Sequence, residues 1–160
     1  MTMDVFQITA WLMAVCSGLM TGVYLAFSLV IMKALGSLSV SQGIAAMNAI
    51  NTVILKTAFM PLFFGSSVIA VVMIAASLWY PDHSAAGASL AAGLVYLFGM
   101  FISTAAFNVP LNNRLAAVQG DSEVAQEVWL EFQKRWTRWN TSRTIWSLVT
   151  LVISLDIVMS

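Results

Sequence analysis

Charge is scarce in this chain. Asp, Glu, Lys and Arg make up only 9% of the 160 residues, against about 25% in a soluble domain. The formal net charge is +0, so nothing in the sequence suggests a nucleic-acid partner. Histidine occurs once, as His83 in the short polar stretch PDHSAAG. That leaves no second histidine to ligate a haem and no carboxylate–histidine cluster for a di-iron site. The one cysteine, Cys16, lies in an apolar run and has no partner for an internal disulfide. No glycine-rich phosphate loop and no Ser–His–Asp set is present. The ten methionines are scattered through apolar runs, where Met is packing material rather than a Cu(I) site. These absences predict no metal and no resident cofactor.

Apolar residues are abundant. They form 60% of the chain, and mean hydropathy is +0.88, which places the protein in a bilayer. The few charges bound the spans. None falls between Asp4 and Lys33 or between Lys56 and Asp82, and apart from His83 none falls between Asp82 and Arg114. Each interval exceeds the roughly 20 residues a spanning helix needs, giving spans near 6–32, 57–79 and 87–108. Only twelve uncharged residues separate Arg143 from Asp156. They make a helix of about 18 Å, too short for a hydrocarbon core of about 30 Å. The fourth span therefore runs over 139–159, and Arg143 sits at or inside the membrane boundary. The runs are continuous rather than alternating, so helices and not a barrel are expected. The predicted fold is all-α: an integral-membrane, antiparallel four-helix bundle over 1–160 with interfacial amphipathic helices near 40–55 and 121–138.

All seven Lys and Arg lie on one side of these spans: Lys33, Lys56, Arg114, Lys134, Arg135, Arg138 and Arg143. Asp4, Asp82, His83 and Asp156 lie on the other. The positive-inside rule makes the basic side cytoplasmic and both termini extracytoplasmic, as in a bacterial inner membrane. No Lys or Arg precedes the first apolar run, so a signal peptide is not expected. In the first span Gly18, Gly22 and Ala26 recur at four-residue spacing. This small-residue face suits close helix packing, or contact with a second copy in a homo-oligomer.

Two stretches carry polar chemistry. FNVPLNNRLA, Phe107 to Ala116, ends the third span with three asparagines and an arginine around Pro110. Asparagines can cap a helix that the proline stops. Three exceed what a cap requires. The second stretch is WLEFQKRWTRWNTSR, Trp129 to Arg143. At 100° per residue, Trp129, Phe132, Trp136, Trp139, Asn140 and Arg143 fall within about 100° of one another. Glu123, Glu127, Glu131, Lys134, Arg135 and Arg138 take the opposite face, and Glu131 can pair with Arg135. Interfacial anchoring accounts for Trp129 and Trp139. It does not call for an amide and a cation on the aromatic face. Non-helical backbone at membrane depth must be covered by protein or line a wet cavity. Asn108, Asn112 or both are therefore expected beside Trp136, Asn140 or Arg143, in one polar pocket near the basic boundary.

FNVPLNNRLA followed by WLEFQKRWTRWNTSRTIWSL resembles the signature of the anthrone oxygenase-like family of small four-span membrane proteins. GVYLAFSLVIMKAL, GIAAMNAIN and FMPLFFG resemble that family's first-span, interfacial-helix and second-span patterns. Lys56 departs from the pattern before FMPLFFG. By the resemblance, Asn108, Asn112, Arg114, Trp136, Asn140 and Arg143 hold the motif's polar and aromatic positions. It implies oxidation of an anthrone to an anthraquinone without a dedicated cofactor. Such chemistry needs a flat apolar seat, a proton acceptor and donors for an oxyanion. Trp136, Trp139 and Phe132, with Asn112, are the candidate ligand-binding residues. Asn108, Asn140 and Arg143 are the candidate catalytic donors. No carboxylate is placed to act as base. The alternative is a non-enzymatic membrane protein that binds a lipid or quinone-like ligand, or a subunit of a larger complex.

Overall fold

The computed structural model describes residues 4–120 and 122–160. Its helices are α1 (Val5–Gly36), α2 (Val40–Ile54), α3 (Phe59–Trp79), α4 (Ala86–Ala116) and α5 (Glu123–Met159). No strand occurs among the described residues. The first, third, fourth and fifth of these are long and apolar enough to cross a membrane. They pack in a ring, α1 against α3, α3 against α4, α4 against α5 and α5 back onto α1, the last interface being the most extensive. This is the antiparallel bundle expected from the charge-bounded runs. α2 lies at the basic end against α1, α4 and α5.

Local signals explain the helix starts. Asp4 Oδ1 accepts the Gln7 amide N–H at 2.9 Å and caps α1. That bond holds the Asp4 carboxyl below its usual range, and nearby His83 adds to the effect against slight desolvation. His83 Nε2 lies 3.2 Å from Asp4, and its ring stacks on Phe6 at 4.2 Å. These contacts gather the acidic end of the bundle, away from the lysines and arginines. Ser39 and Gln42 form a reciprocal capping box at α2. Pro61 sits in the first turn of α3, where its missing N–H costs nothing, and the chain breaks between Ile54 and Phe59.

One expectation is corrected. Pro110 does not end the third span. α4 continues to Ala116, passing through π-helical turns at Leu97–Ile102 and Thr104–Asn108. In the second of these the Val109 N–H reaches back to the Thr104 carbonyl. A proline ring clashes with the carbonyl four residues back, and the widened turn makes room for it. The amphipathic helix runs directly into the fourth span, and the two form one uninterrupted rod. α5 has 37 residues, about 55 Å at 1.5 Å each. Nearly half of it lies beyond a bilayer core of about 30 Å.

Many side-chain hydroxyls in the spans are satisfied within the bundle, while those of Tyr24, Ser147 and Ser154 have no partner. Ser17, Ser66, Ser77 and Thr150 each bond a carbonyl one turn back, and the Tyr96 hydroxyl donates to Ser66 at 2.7 Å across the α3–α4 interface. That interface is close because of Gly93. A Cβ there would stand 2.7 Å from the Ala70 carbonyl oxygen and 2.8 Å from Ile74. Gly93→Ala is expected to cost about 1 to 2 kcal/mol, read as a lowered thermal midpoint of the purified protein. Gly87→Ala, with nothing within 4 Å, is the matched control. Of the small residues in α1, Gly18 meets the Leu151 side chain at 3.8 Å and Gly22 has no neighbour within 4 Å. Ala26 is exposed.

Candidate functional site

Two large apolar clusters fill most of the interior, with a small third one of Phe6, Ala76 and Ala86 at the acidic end. One, at the basic end, contains Phe27, Met47, Leu111, Trp129, Phe132 and Trp136. The other, in the middle of the spans, contains Met20, Tyr24, Phe63, Tyr96 and Met100. Between them lies a cavity of about 310 Å³ whose walls come from both. That volume is at the small end of ordinary ligand sites. The apolar walls include Phe27, Met47, Phe59, Phe63 and Phe101. The polar residues are Asn51, Thr104, Asn108, Asn112, Asn140 and Arg143, with Tyr24 and Trp136 beside them.

Three π turns surround this space. Phe27–Ile31 in α1 contributes Phe27, Leu97–Ile102 in α4 contributes Phe101, and Thr104–Asn108 contributes Thr104 and Asn108. A π turn widens the helix and shifts its side chains out of the 3.6-residue register, and such turns gather at functional sites. Here they bring an aromatic wall and two polar groups onto the same cavity.

Arg143 is the centre of the polar network. It is only 5% exposed. Its Nη2 donates to Asn140 Oδ1 at 2.8 Å and its Nη1 to Thr104 Oγ1 at 3.1 Å. The guanidinium carbon lies 4.3 Å above the Tyr24 ring centroid and 5.6 Å from that of Trp136. Among the described residues, no carboxylate lies within ion-pair distance of it. Asn140, fully buried, donates through Nδ2 to the Tyr24 carbonyl at 2.6 Å and to Ser28 Oγ at 2.7 Å. This ties α5 to α1. Asn108 Nδ2 donates to the Trp136 carbonyl at 3.3 Å and ties α4 to α5. Asn108 does not cap a broken helix end, because the helix is not broken there.

Several polar atoms around the cavity have no protein partner: Asn108 Oδ1, Asn112 Oδ1, Trp136 Nε1 and Arg143 Nε. A buried polar atom left unpaired costs about 1 to 3 kcal/mol. Acceptors on the amides and donors on the indole and guanidinium form a set that a ligand with both hydroxyl and carbonyl groups would satisfy.

The cavity thus collects Asn108, Asn112, Trp136, Asn140 and Arg143 from the residues singled out in the sequence. Phe132 and Trp139 do not line it. Phe132 is packed between Trp129 and Trp136, 5.8 and 5.9 Å from their rings, and backs the wall. Trp139 stacks flat on Phe107 at 3.6 Å on the outer side of α4. Trp129 is 2% exposed, and a Cβ at Gly43 would stand 2.6 Å from its ring, so it is a core residue and not a lipid anchor. Asn113 and Arg114 are exposed, with Arg114 bonded to Glu131 at 2.5 Å. Tyr24, Asn51 and Thr104 were not anticipated. Tyr24, a hydroxylated ring in an otherwise apolar run, is the one with a sequence signal.

The fold and site define a small helical membrane bundle that holds an unpaired cation in an apolar, aromatic-walled cavity. The chain belongs to the anthrone oxygenase family, whose model matches residues 51–153, from the end of α2 through most of α5. No curated protein and no solved structure matches it.

Proposed function

We propose that this protein is a membrane-embedded oxygenase that needs no resident cofactor and acts on a flat, hydrophobic aromatic ketone or quinol of the anthrone type. The observation that carries the reading is Arg143: a buried guanidinium without a carboxylate, on the wall of an otherwise aromatic cavity. A cation that close to an enolisable ketone favours the enolate, because the oxyanion replaces the missing counter-charge. In an anthrone the ring methylene loses a proton and the carbonyl oxygen takes the charge. The carbanion carbon is then electron-rich enough to reduce dioxygen directly. A C–O bond forms, the resulting hydroperoxide loses water, and the methylene has become a second carbonyl. One dioxygen is consumed and one water released per substrate. The cavity-lining residues include no carboxylate and no imidazole. Water, or an oxygen of the substrate, takes the proton in this scheme.

The unpaired Asn108 and Asn112 acceptors suit phenolic hydroxyls on such a substrate, and Phe27, Phe63 and Trp136 suit its faces. Purified protein given an anthrone under air is expected to consume dioxygen and form the quinone in equal amounts, above the spontaneous rate. A rate equal to that of empty detergent micelles would remove the assignment. The lack of a basic side chain at the cavity favours one other reading: a protein that holds a lipid or quinone-like molecule without transforming it. Mass spectrometry of extracts would then find a retained ligand and the oxygen assay no turnover.

The one-sided distribution of Lys and Arg supports cytoplasmic placement of the basic end in a bacterial inner membrane. In a Cys16→Ser background, Ser84→Cys is expected to react with an impermeant maleimide in intact cells. Reaction only after lysis would reverse the orientation.

A further inference from the structure

A second hollow lies on the outer face of the bundle, between the end of α1 and the middle of α5, with a volume of about 970 Å³. It is separate in character from the cavity above. Its lining includes three cations, Lys33, Lys134 and Arg138, and no acid. None of the three forms an ion pair among the described residues. Glu131, on the same helix, is engaged by Arg114 and Arg135 instead.

The order of chemistry along the groove is informative. On α5, Lys134, Arg138, Thr141 and Ile145 follow at steps of four, three and four residues. At 100° per residue they fall within about 60° of one another, and they cover about 16 Å along the axis. The stripe reads cation, cation, hydroxyl, aliphatic. α1 adds Lys33 near the cations and Ser28 near Thr141, whose hydroxyls lie 2.9 Å apart. Ser142 joins the hydroxyl tier, and Trp146, 42% exposed, joins the apolar one. The cations lie toward the basic end of the bundle, while Ile145 and Trp146 lie in the apolar part of α5.

The geometry points to a binding site for one anionic phospholipid of the leaflet on the basic side. Its phosphate would meet Lys33, Lys134 and Arg138, its glycerol-ester oxygens the Ser28, Thr141 and Ser142 hydroxyls, and an acyl chain the Ile145–Trp146 surface. Each level of a phospholipid finds its own chemistry at the matching depth. Basic recesses between transmembrane helices on the cytoplasmic side bind anionic headgroups in this way. A soluble phosphate compound would use the cations alone and leave the lower two tiers without a role. An acidic protein segment would have no reason to meet a hydroxyl tier and an apolar tier inside the membrane. The site does not depend on the oxygenase reading.

The test is native mass spectrometry of the detergent-purified chain titrated with phosphatidylglycerol or phosphatidylcholine. The wild type is expected to retain one phosphatidylglycerol in preference to phosphatidylcholine. Lys134→Gln should weaken that retention about fivefold, and Lys33→Gln/Lys134→Gln/Arg138→Gln together about a hundredfold, at about 1 kcal/mol per charge. Ile145→Asn, which leaves the cations intact, should also weaken it. Arg135→Gln, paired with Glu131 away from the groove, should leave it unchanged. Equal retention by wild type and the single Lys134→Gln variant would overturn the proposal, and so would equal retention of the two lipids. Full displacement by millimolar glycerol phosphate would overturn it in favour of a soluble phosphate ligand. Should the triple variant not fold, Lys134→Gln and Ile145→Asn carry the test alone, since both positions are exposed.

Discussion

Arg143→Gln is expected to lower anthrone turnover, or ligand retention if the protein only binds, by about a hundredfold or more. That is the loss seen when one donor to a developing oxyanion is removed from a preorganised site. The same substitution should leave thermal stability unchanged or raise it. Arg143 is buried, lacks a carboxylate and is held only by Asn140, Thr104 and the faces of Tyr24 and Trp136. A charge kept in such a place costs the fold several kcal/mol in desolvation. A neutral amide, though shorter than the guanidinium, removes that cost. The diagnostic result is therefore function lost with stability kept or gained, measured on one preparation by oxygen uptake and thermal melting. Loss of both together would make Arg143 a structural cation. Unchanged function would make it a snorkelling anchor.

Asn140→Leu is expected to act on both quantities. The side chain fits by volume but removes the acceptor for Arg143 Nη2 and both Nδ2 bonds to α1. Leaving a buried charge with one fewer partner should cost about 3 kcal/mol, and turnover should fall with it as the guanidinium loses its fixed position. Asn140→Asp separates the two roles. It keeps an acceptor for Arg143 and supplies the absent counter-charge. Stability should recover relative to Asn140→Leu, while turnover should stay low, because a paired Arg143 no longer draws an oxyanion. Recovery of turnover alongside stability would show that the cation need not be unpaired.

The spans were legible because charge in a chain this apolar is rare and each charged residue marks a boundary. Arg143 and Asn140 stood out for the same reason: an arginine with twelve uncharged residues between it and the next charge has few places to go. Trp136 could be placed with them because α5 keeps a regular 3.6-residue register throughout. The π turns were not legible. FSLVI, LFGMFI and TAAFN are as compatible with an α-helix as with a wider one, since the choice is made by packing and not by local propensity. Pro110 was misread as a stop because its usual effect assumes an α-helical turn before it. Trp129 resembled an anchor until Gly43, on a different helix, was found to leave room for its ring. Contacts of that kind join residues 86 positions apart and have no local trace.

The three π turns also set how these helices can change length. A π turn holds one residue more than an α turn would. Deleting a single residue within Thr104–Asn108 would let α4 close to ordinary α geometry, with most of its hydrogen bonds kept. Everything beyond the deletion would keep its facing, because a π turn spends its extra residue within that one turn. Asn112 would stay at the cavity, Thr104 and Asn108 in the turn itself would be re-aimed, and Pro110 would again meet a carbonyl four residues behind it. A residue gained or lost inside the turn is thus absorbed where it falls, whereas one gained or lost elsewhere in α4 would turn all that follows by about 100° about the helix axis.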